Sequence, residues 1–184
     1  MFETITSNID LVIGGDLVLD ILQERNLKIY WGTSPTELPT INYLIPILHL
    51  VNFIKNKCEV KILLADIHAY LDSVTPDINT IHARTNIHSK IIKMLLEYLY
   101  IDNNDITFIE GSSYQLTQEF TMDVYRFNSI CTVSQVKHAG EKVVKQSNDP
   151  LMTSLLYPTL QALDIEYLDC DVFFGDTKQK NICL

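Results

Sequence analysis

Short β-rich segments separated by helical stretches constrain the fold of this 184-residue chain more than any other feature. The segments are apolar and mostly end at a glycine or a charged residue, whereas the stretches between them carry apolar residues at helical spacing. The predicted strands are residues 27–32, 60–65, 106–110 and 167–174. Connections long enough to hold helices are typical of parallel sheets, so we predict an α/β fold with helices on both faces of the sheet.

The stretches between the strands predict the helices of this fold. Residues 4–24 have a helical apolar face that Gly14 and Gly15 divide into two short helices, with Asp16 as the cap of the second. Further helices are predicted over residues 43–56, around 81–99, over 152–162 and, in at least two pieces, over 114–146. Because the chain has neither repeats nor a Pro/Gly-rich linker, we predict one domain over residues 1–184.

Charge and cysteine content exclude several classes of protein. Asp and Glu outnumber Lys and Arg by 23 to 14, a net charge of −9 that disfavours nucleic-acid binding by this chain alone. The cysteines Cys58, Cys131, Cys170 and Cys183 lie far apart, so we expect reduced thiols and no metal site. No signal sequence and no apolar run of bilayer length is found. We therefore expect a soluble, cytoplasmic protein without a membrane partner.

The predicted sheet places one candidate site. Parallel sheets bind ligands outside the carboxyl ends of their strands, near the point where strand order reverses. Tyr30, Asp66, Gly111 and Gly175 lie at or beside such ends. We therefore predict that they surround a single site.

A second signal is a set of polar side chains in the apolar segment 155–164. Tyr157, Gln161 and Asp164 are spaced so that a helix brings a phenol, an amide and a carboxylate onto one face. They could line a ligand pocket or form a buried network that satisfies its own hydrogen bonds. The sequence holds no dinucleotide or phosphate loop, no nucleophile elbow and no zinc-protease motif, so no catalytic residue is assigned.

Three segments of the chain resemble the class I tyrosyl-tRNA synthetases of the eukaryotic and archaeal branch. They are residues 28–33 (Lys-Ile-Tyr-Trp-Gly-Thr), 65–71 (Ala-Asp-Ile-His-Ala-Tyr-Leu) and 157–164 (Tyr-Pro-Thr-Leu-Gln-Ala-Leu-Asp). Shorter matches are residues 114–116, 123–126 and 143–146. The resemblance covers nearly the whole chain and implies the Rossmann-like catalytic domain of that family. We expect the family's last strand, its Lys-Met-Ser-Lys-Ser loop and its anticodon-binding domain to be absent.

The resemblance implies a pocket for L-tyrosine. The matching positions are Tyr30 and Asp164 for the substrate phenol, and Tyr157, Gln161 and Gln179 for the substrate amino group. His68 matches a histidine that the family keeps close to the substrate, and we include it as a pocket residue.

The ATP signature implied by the resemblance is altered. In the family, a glycine-rich turn leads into a His-x-Gly-His-like tetrad, and Thr40, Asn42 and Tyr43 belong to the corresponding stretch here. Thr40 replaces the first histidine, and Asn42 replaces the small residue against which adenine stacks. Glu37 replaces a glycine and adds negative charge close to the phosphates. We predict that no cofactor is required, and that ATP binds only if this altered site still works.

Several functions follow from the resemblance. The first is a pseudo-synthetase that binds tyrosine without activating it. The second, compatible with the first, is an interaction protein that uses residues 114–146 to form a homodimer, or a heterodimer with a full-length tyrosyl-tRNA synthetase, as its partner or decoy. The third is a residual tyrosine-tRNA ligase that another chain completes. We do not expect this chain alone to bind tRNA.

Overall fold

The computed structural model describes residues 1–73, 77–102, 105–143 and 151–183. Within them, four strands form one parallel sheet. The strands are β1 (Lys28–Thr33), β2 (Glu59–Leu64), β3 (Ile106–Glu110) and β4 (Val172–Phe174). The helices are α1 (Phe2–Ile5), α2 (Gly15–Glu24), α3 (Leu44–Lys55), α4 (Asp66–Asp72), α5 (Ile78–Tyr98), α6 (Ser112–Gln115), α7 (Gln118–Ile130), α8 (Val133–Gly140), α9 (Thr153–Tyr167) and α10 (Lys180–Cys183).

The strand order β3-β2-β1-β4 places the point of reversal beside β1. The chain moves outward from β1 through β2 to β3 and then returns to the other side of β1 for β4. Ligands of parallel sheets bind outside the carboxyl ends of the strands at such a reversal. Tyr30 of β1 and Phe173 of β4 are partners in the register there.

Alternate side chains of β1 pack on opposite faces of the sheet. Ile29 and Trp31 join the core formed with α3 and α5. Tyr30 faces the other way and packs with Leu63 and Leu168, on the side that carries α4, α7 and α9. The predicted fold, a parallel sheet with helices on both faces, is confirmed.

Three predicted boundaries are wrong. The first of the two helices predicted within residues 4–24 is limited to Phe2–Ile5, and residues 6–14 form turns and bends. The strand predicted over residues 167–174 is limited to Val172–Phe174, because α9 continues to Tyr167 and Asp169 then turns the chain with a φ of 48°. The second helix is preceded by Gly14, whose φ of 72° suits a glycine. Asp16 therefore lies in the first turn of α2 and is not its cap.

Two further predictions can be compared with the structure only in part, because some of their residues lie outside the described ranges. Cys58, Cys131 and Cys170 are free thiols, whereas the side chain of Cys183 lies outside the described part. The predicted dimerisation segment forms α6, α7 and α8, and its residues 144–146 also lie outside.

No described helix has the length and apolarity needed to cross a bilayer. The described side chains also contain no His, Cys, Asp and Glu group suited to hold a metal ion.

A salt bridge fixes the start of β4 against β1. Arg25 donates to both carboxylate oxygens of Asp171, at 2.7 and 2.6 Å. The same carboxylate accepts from Lys28 N, and Asp171 N donates to Lys28 O, both at 2.9 Å. The hydrogen bonds from Arg25, followed by that from Lys28 N, hold the pKa of Asp171 below its usual range. The ionised form of Asp171 therefore stabilises the junction of α2, β1 and β4.

Candidate functional site

Asp164 of α9 holds a carboxylate that is only 1% exposed. Its Oδ1 accepts hydrogen bonds from Tyr114 Oη (2.6 Å) and Gln115 Nε2 (2.7 Å), and its Oδ2 lies 3.7 Å from His68 Nε2. Among the described residues, no Lys or Arg forms a salt bridge with it. Desolvation raises the pKa of Asp164, although His68, Tyr114 and Gln115 act in the opposite direction.

His68 of α4 is a buried, neutral imidazole beside this carboxylate. Its Nδ1 faces Gln115 Nε2 at 3.5 Å, and its ring meets the ring of Tyr157 edge-on at 4.6 Å. Because the Gln115 nitrogen is a donor, we assign the hydrogen of His68 to Nε2, which has no hydrogen-bond partner among the described residues. Burial lowers the pKa of His68 and keeps the ring neutral.

The predicted polar side chains lie on α9, but among the described residues they do not satisfy one another's hydrogen bonds. Gln161 is buried, and its Oε1 has no hydrogen-bond partner among the described residues. Among the described residues, the side chains that donate hydrogen bonds to Asp164 belong to α6 and not to Tyr157 or Gln161. An unpartnered buried acceptor costs about 1–3 kcal/mol, so the arrangement favours a ligand or water at Gln161 over a closed network.

The aromatic ring of Tyr30 lies beside the residues that surround Asp164. Its side chain is 2% exposed, and its ring centroid lies 5.0 Å from that of Phe173. Tyr30 contributes to the raised pKa of Tyr114, although burial is the largest cause and Asp164 the next. The structure therefore brings Tyr30, His68, Tyr157, Gln161 and Asp164 to one region between β1, α4 and α9.

Gln179 is placed differently from the other predicted pocket residues. It ends the short 3-10 helix Thr177–Gln179, where its Oε1 accepts a hydrogen bond from Asp176 N at 3.0 Å. A Cβ at Gly175 would come within 2.6 Å of this oxygen and 2.2 Å of the Phe173 ring. The side-chain oxygen Oε1 of Gln179 thus caps this short helix. The contact of Gln179 with a ligand amino group stays a prediction.

The loop over residues 34–43 lies on the side of the sheet that carries α5. Thr40 and Asn42 are exposed. The Tyr43 hydroxyl hydrogen-bonds to His88 Nδ1 at 2.6 Å, and His88 Nε2 donates to Glu37 O at 2.7 Å. Tyr43 therefore ties this loop to α5, and its role toward ATP stays a prediction.

Tyr114 and Gln115 were not among the predicted pocket residues, although both contact Asp164. Their position in the sequence could have indicated a place at the site, because they follow the end of β3 by four and five residues. This places them at the same edge of the sheet as Tyr30 and Asp66.

A cavity of about 480 Å³ lies elsewhere, at the amino ends of β1 and β2. Its lining combines Arg25, Lys28 and Lys57 with Glu59, and it includes Cys58. Burial raises the pKa of Cys58 to about 11, so this thiol is not a nucleophile at neutral pH. The buried polar atoms that have no partner among the described residues are concentrated at the opposite edge, and we place the candidate functional site there.

Comparison with known proteins finds matches over most of the chain. The family described as "tRNA synthetases class I (W and Y)" matches residues 22–184. The cytoplasmic tyrosine–tRNA ligase of Gallus gallus is 44% identical over 181 residues, which are 98% of this chain and 34% of that protein. The Saccharomyces cerevisiae enzyme is 40% identical over 183 residues, 98% of this chain and 46% of its own length. The chain thus spans less than half the length of these two relatives.

Solved structures show the same relationship. The tyrosyl-tRNA synthetase of Archaeoglobus fulgidus, complexed with L-tyrosine, superposes with a TM-score of 0.90 at 26% identity, covering 98% of this chain and 56% of that one. The Leishmania major enzyme with tyrosinol shares the fold, with a TM-score of 0.84 at 17% identity over 98% of this chain and 27% of that one. Matched over most of its length in both sequence and structure, this chain belongs to the class I tRNA synthetase family, among the tyrosyl-tRNA synthetases.

Proposed function

We propose that this chain binds L-tyrosine beside α9 and does not itself activate the amino acid with ATP. The observation that carries the proposal is the buried carboxylate of Asp164 together with Gln161 Oε1, one helical turn away, an acceptor with no partner in the described part of the chain. A ligand with a hydroxyl at one end and an ammonium at the other matches these two groups.

The phenol end of the ligand is assigned to Asp164. A phenol hydroxyl donates one hydrogen bond and accepts others, so it suits a carboxylate with a neighbouring donor such as His68 Nε2. Tyr30 borders the same region. A phenylalanine side chain would leave these buried groups without a partner, which is the physical basis of selection for the hydroxyl. Tyrosine-specific synthetases are an established example of this kind of discrimination.

The ammonium end is assigned to Gln161 and Tyr157. An ammonium group offers hydrogen-bond donors only and therefore needs oxygen acceptors such as Gln161 Oε1. Gln161 precedes Asp164 by three residues on α9, so a ligand lying along the helix can meet both side chains. The Archaeoglobus fulgidus relative was solved in complex with L-tyrosine, which supports L-tyrosine as the ligand of this chain.

The loss of activation is inferred from the loop over residues 34–43. Transferring phosphates are stabilised by positive groups and aimed hydrogen-bond donors. This loop contains Glu37 and no Lys, Arg or His, and Thr40 and Asn42 replace the residues that serve ATP in the family. No cofactor is therefore included in the proposed function. The competing function is a residual tyrosine-tRNA ligase that another chain completes.

Association with a second chain is part of the proposal. Apolar side chains are exposed along α7 and α8, with Ile130 at 79% and Tyr125 at 63%. A second copy, or a full-length tyrosyl-tRNA synthetase, would cover these side chains. The Gallus gallus and Saccharomyces cerevisiae relatives are cytoplasmic enzymes by name, and we extend that location to this chain. With its charge of −9, we expect it to bind tRNA only as part of an assembly.

The first prediction concerns ligand selectivity. In calorimetric titration, L-tyrosine should bind at least tenfold more tightly than L-phenylalanine, since one buried hydrogen bond to a charged group contributes about 1.5–3 kcal/mol. Asp164→Asn should weaken tyrosine binding selectively, whereas Gln161→Met should weaken both amino acids because both carry the ammonium. Absence of tyrosine binding by the wild-type chain would refute the pocket.

The second prediction concerns activation. Tyrosine-dependent exchange of pyrophosphate into ATP should stay at background for the purified chain, because the loop lacks positive groups for the phosphates. A full-length tyrosyl-tRNA synthetase from a relative provides the positive control. Exchange above background that requires tyrosine would favour the ligase function instead.

The third prediction concerns association. Sedimentation velocity should detect a dimer, or a complex with an added full-length tyrosyl-tRNA synthetase. Ile130→Asp should shift that population toward the monomer, because it places a charge in the covered surface. Met94→Asp on α5, another exposed apolar position (66%), is the matched control and should leave association unchanged. Equal effects of both substitutions would argue against this surface.

The fourth prediction is that the proposed pocket lowers stability. The folded-state pKa of Asp164 is raised, so its cost appears as the pH rises above the unfolded value of about 3.9. Asp164→Asn should therefore increase the free energy of unfolding at pH 7 by on the order of 1 kcal/mol. The difference from wild type should vanish toward pH 4 and is measured by denaturant unfolding.

Asp171→Asn is the matched control for this experiment. The folded-state pKa of Asp171 is lowered, so its contribution is present above the unfolded value and is lost as the pH falls through the folded value. This substitution should destabilise the chain at pH 7, the opposite sign to Asp164→Asn. The same sign for both would contradict the analysis of the two carboxyls.

A further inference from the structure

We propose that helix α2 and the loop before it form a docking surface for a positively charged amphipathic helix of another protein. The inference goes beyond the proposed binding of L-tyrosine and does not depend on it. It rests on two properties of residues 10–24, which are exposed apolar side chains and negative charge that no neighbouring cation neutralises.

The segment carries more apolar side chains than its packing uses. Val18, Ile21 and Leu22 form the core-facing side of α2 and are only partly buried against the core. None of the ten residues of α2 is buried. Leu17 lies on the solvent side and is 68% exposed. Further large apolar side chains of the segment are also exposed, namely Leu11, Val12, Ile13 and Leu19.

The exposed apolar side chains adjoin one another at the start of α2. A Cβ at Gly14 would lie 3.8 Å from Leu17 Cδ1, and a Cβ at Gly15 would lie 3.7 Å from Val12 Cγ1. Leu17 and the loop over residues 11–13 therefore flank the two glycines and form one apolar surface. A contiguous exposed apolar surface is typical of a contact site for another molecule, whereas single exposed leucines are not.

The same segment carries only negative charge. Residues 1–24 contain no Lys, Arg or His, and their acidic side chains are Glu3, Asp10, Asp16, Asp20 and Glu24. Asp16, Asp20 and Glu24 recur at every fourth position, so they form a row on the solvent side of α2 between Leu17 and Leu19. In the described part of the chain, none of these acidic side chains takes part in a salt bridge. The next residue, Arg25, is paired with Asp171.

This charge decides which partner fits the surface. A second copy that presented the same surface would bring like charges together. The net charge of −9 also opposes the approach of a nucleic acid or an anionic membrane. A helix with Lys or Arg beside apolar side chains instead offers cations to the acidic row and apolar contacts to Leu17 and Leu19. One such partner therefore uses both properties of the surface.

Fluorescence anisotropy with a labelled synthetic peptide tests the inference on the whole chain. The peptide is an amphipathic helix of Leu and Lys, and the control peptide has Glu in place of Lys. The Lys peptide should bind and the Glu peptide should not. Raising the salt concentration should weaken the binding, because it screens exposed charges. Equal binding of both peptides, or binding of neither, would overturn the inference.

Variants of the chain locate the contact. Leu17→Ser should raise the Kd for the Lys peptide about fivefold or more, since it removes apolar contact at constant charge. Met94→Ser on α5, a side chain of similar exposure, is the matched control and should leave the Kd unchanged.

A second variant tests the acidic row. The double substitution Asp16→Asn and Asp20→Asn should raise the Kd about threefold or more at low salt and have little effect at high salt. Glu119→Gln removes one exposed charge on α7, which packs on the other face of the sheet, and should change the Kd little. If either variant had no larger effect than its control, binding would depend on net charge alone and the inference would be wrong.

Two further measurements test other occupants of the surface. Leu17→Ser should sediment like the wild-type chain, and phosphatidylserine vesicles should not carry the wild-type chain down. A shift of Leu17→Ser toward the monomer would assign the surface to a second copy, and sedimentation with the vesicles would assign it to a membrane. Either result would overturn the inference and would leave the proposed binding of L-tyrosine unaffected.

Discussion

The buried carboxylate of Asp164 is the constraint on which the arrangement of the site depends. Three elements converge on it: α4 through His68, α6 through Tyr114 and Gln115, and α9 itself. In a dry interior each such hydrogen bond is stronger than in water, and each missing one is more costly. The elements are therefore held relative to one negative charge, at the edge where the strand order reverses.

Two aspartates show how strongly the surroundings decide the effect of a carboxylate. Asp171, just before β4, meets Arg25 and Lys28 N, and its charge supports the fold. Among the described residues, Asp164 meets only neutral donors, and its charge opposes the fold. The salt bridge of Asp171 at the amino end of β4 thus stabilises the fold, whereas the charge of Asp164 in the proposed binding site destabilises it. Such a division is common where a site needs a group that folding alone would disfavour.

The sequence predicts those elements whose position depends on residues close together in the chain. The strands β1, β2 and β3 are placed within one residue, because each is an apolar run with polar borders. The end of α9 is missed because Tyr167 is held in the helix by distant partners, including a hydrogen bond to Asp123. The contact of Tyr114 with Asp164 likewise joins residues 50 apart in the chain. Helical spacing indicates the face of α9, whereas the partners of that face come from the tertiary fold.

The alternation of β1 also separates the proposed tyrosine pocket from the loop over residues 34–43. Tyr30 faces α9, whereas Trp31 and Thr33 face the opposite side, where the Tyr43 hydroxyl bonds to Thr33. The altered residues Thr40 and Asn42 are exposed near that opposite side, so their substitution leaves the packing around Asp164 intact. The proposed pocket and this loop therefore contact β1 from opposite faces. Loss of activation without loss of tyrosine binding therefore requires no rearrangement of the core, which makes the proposed function compatible with the conserved fold.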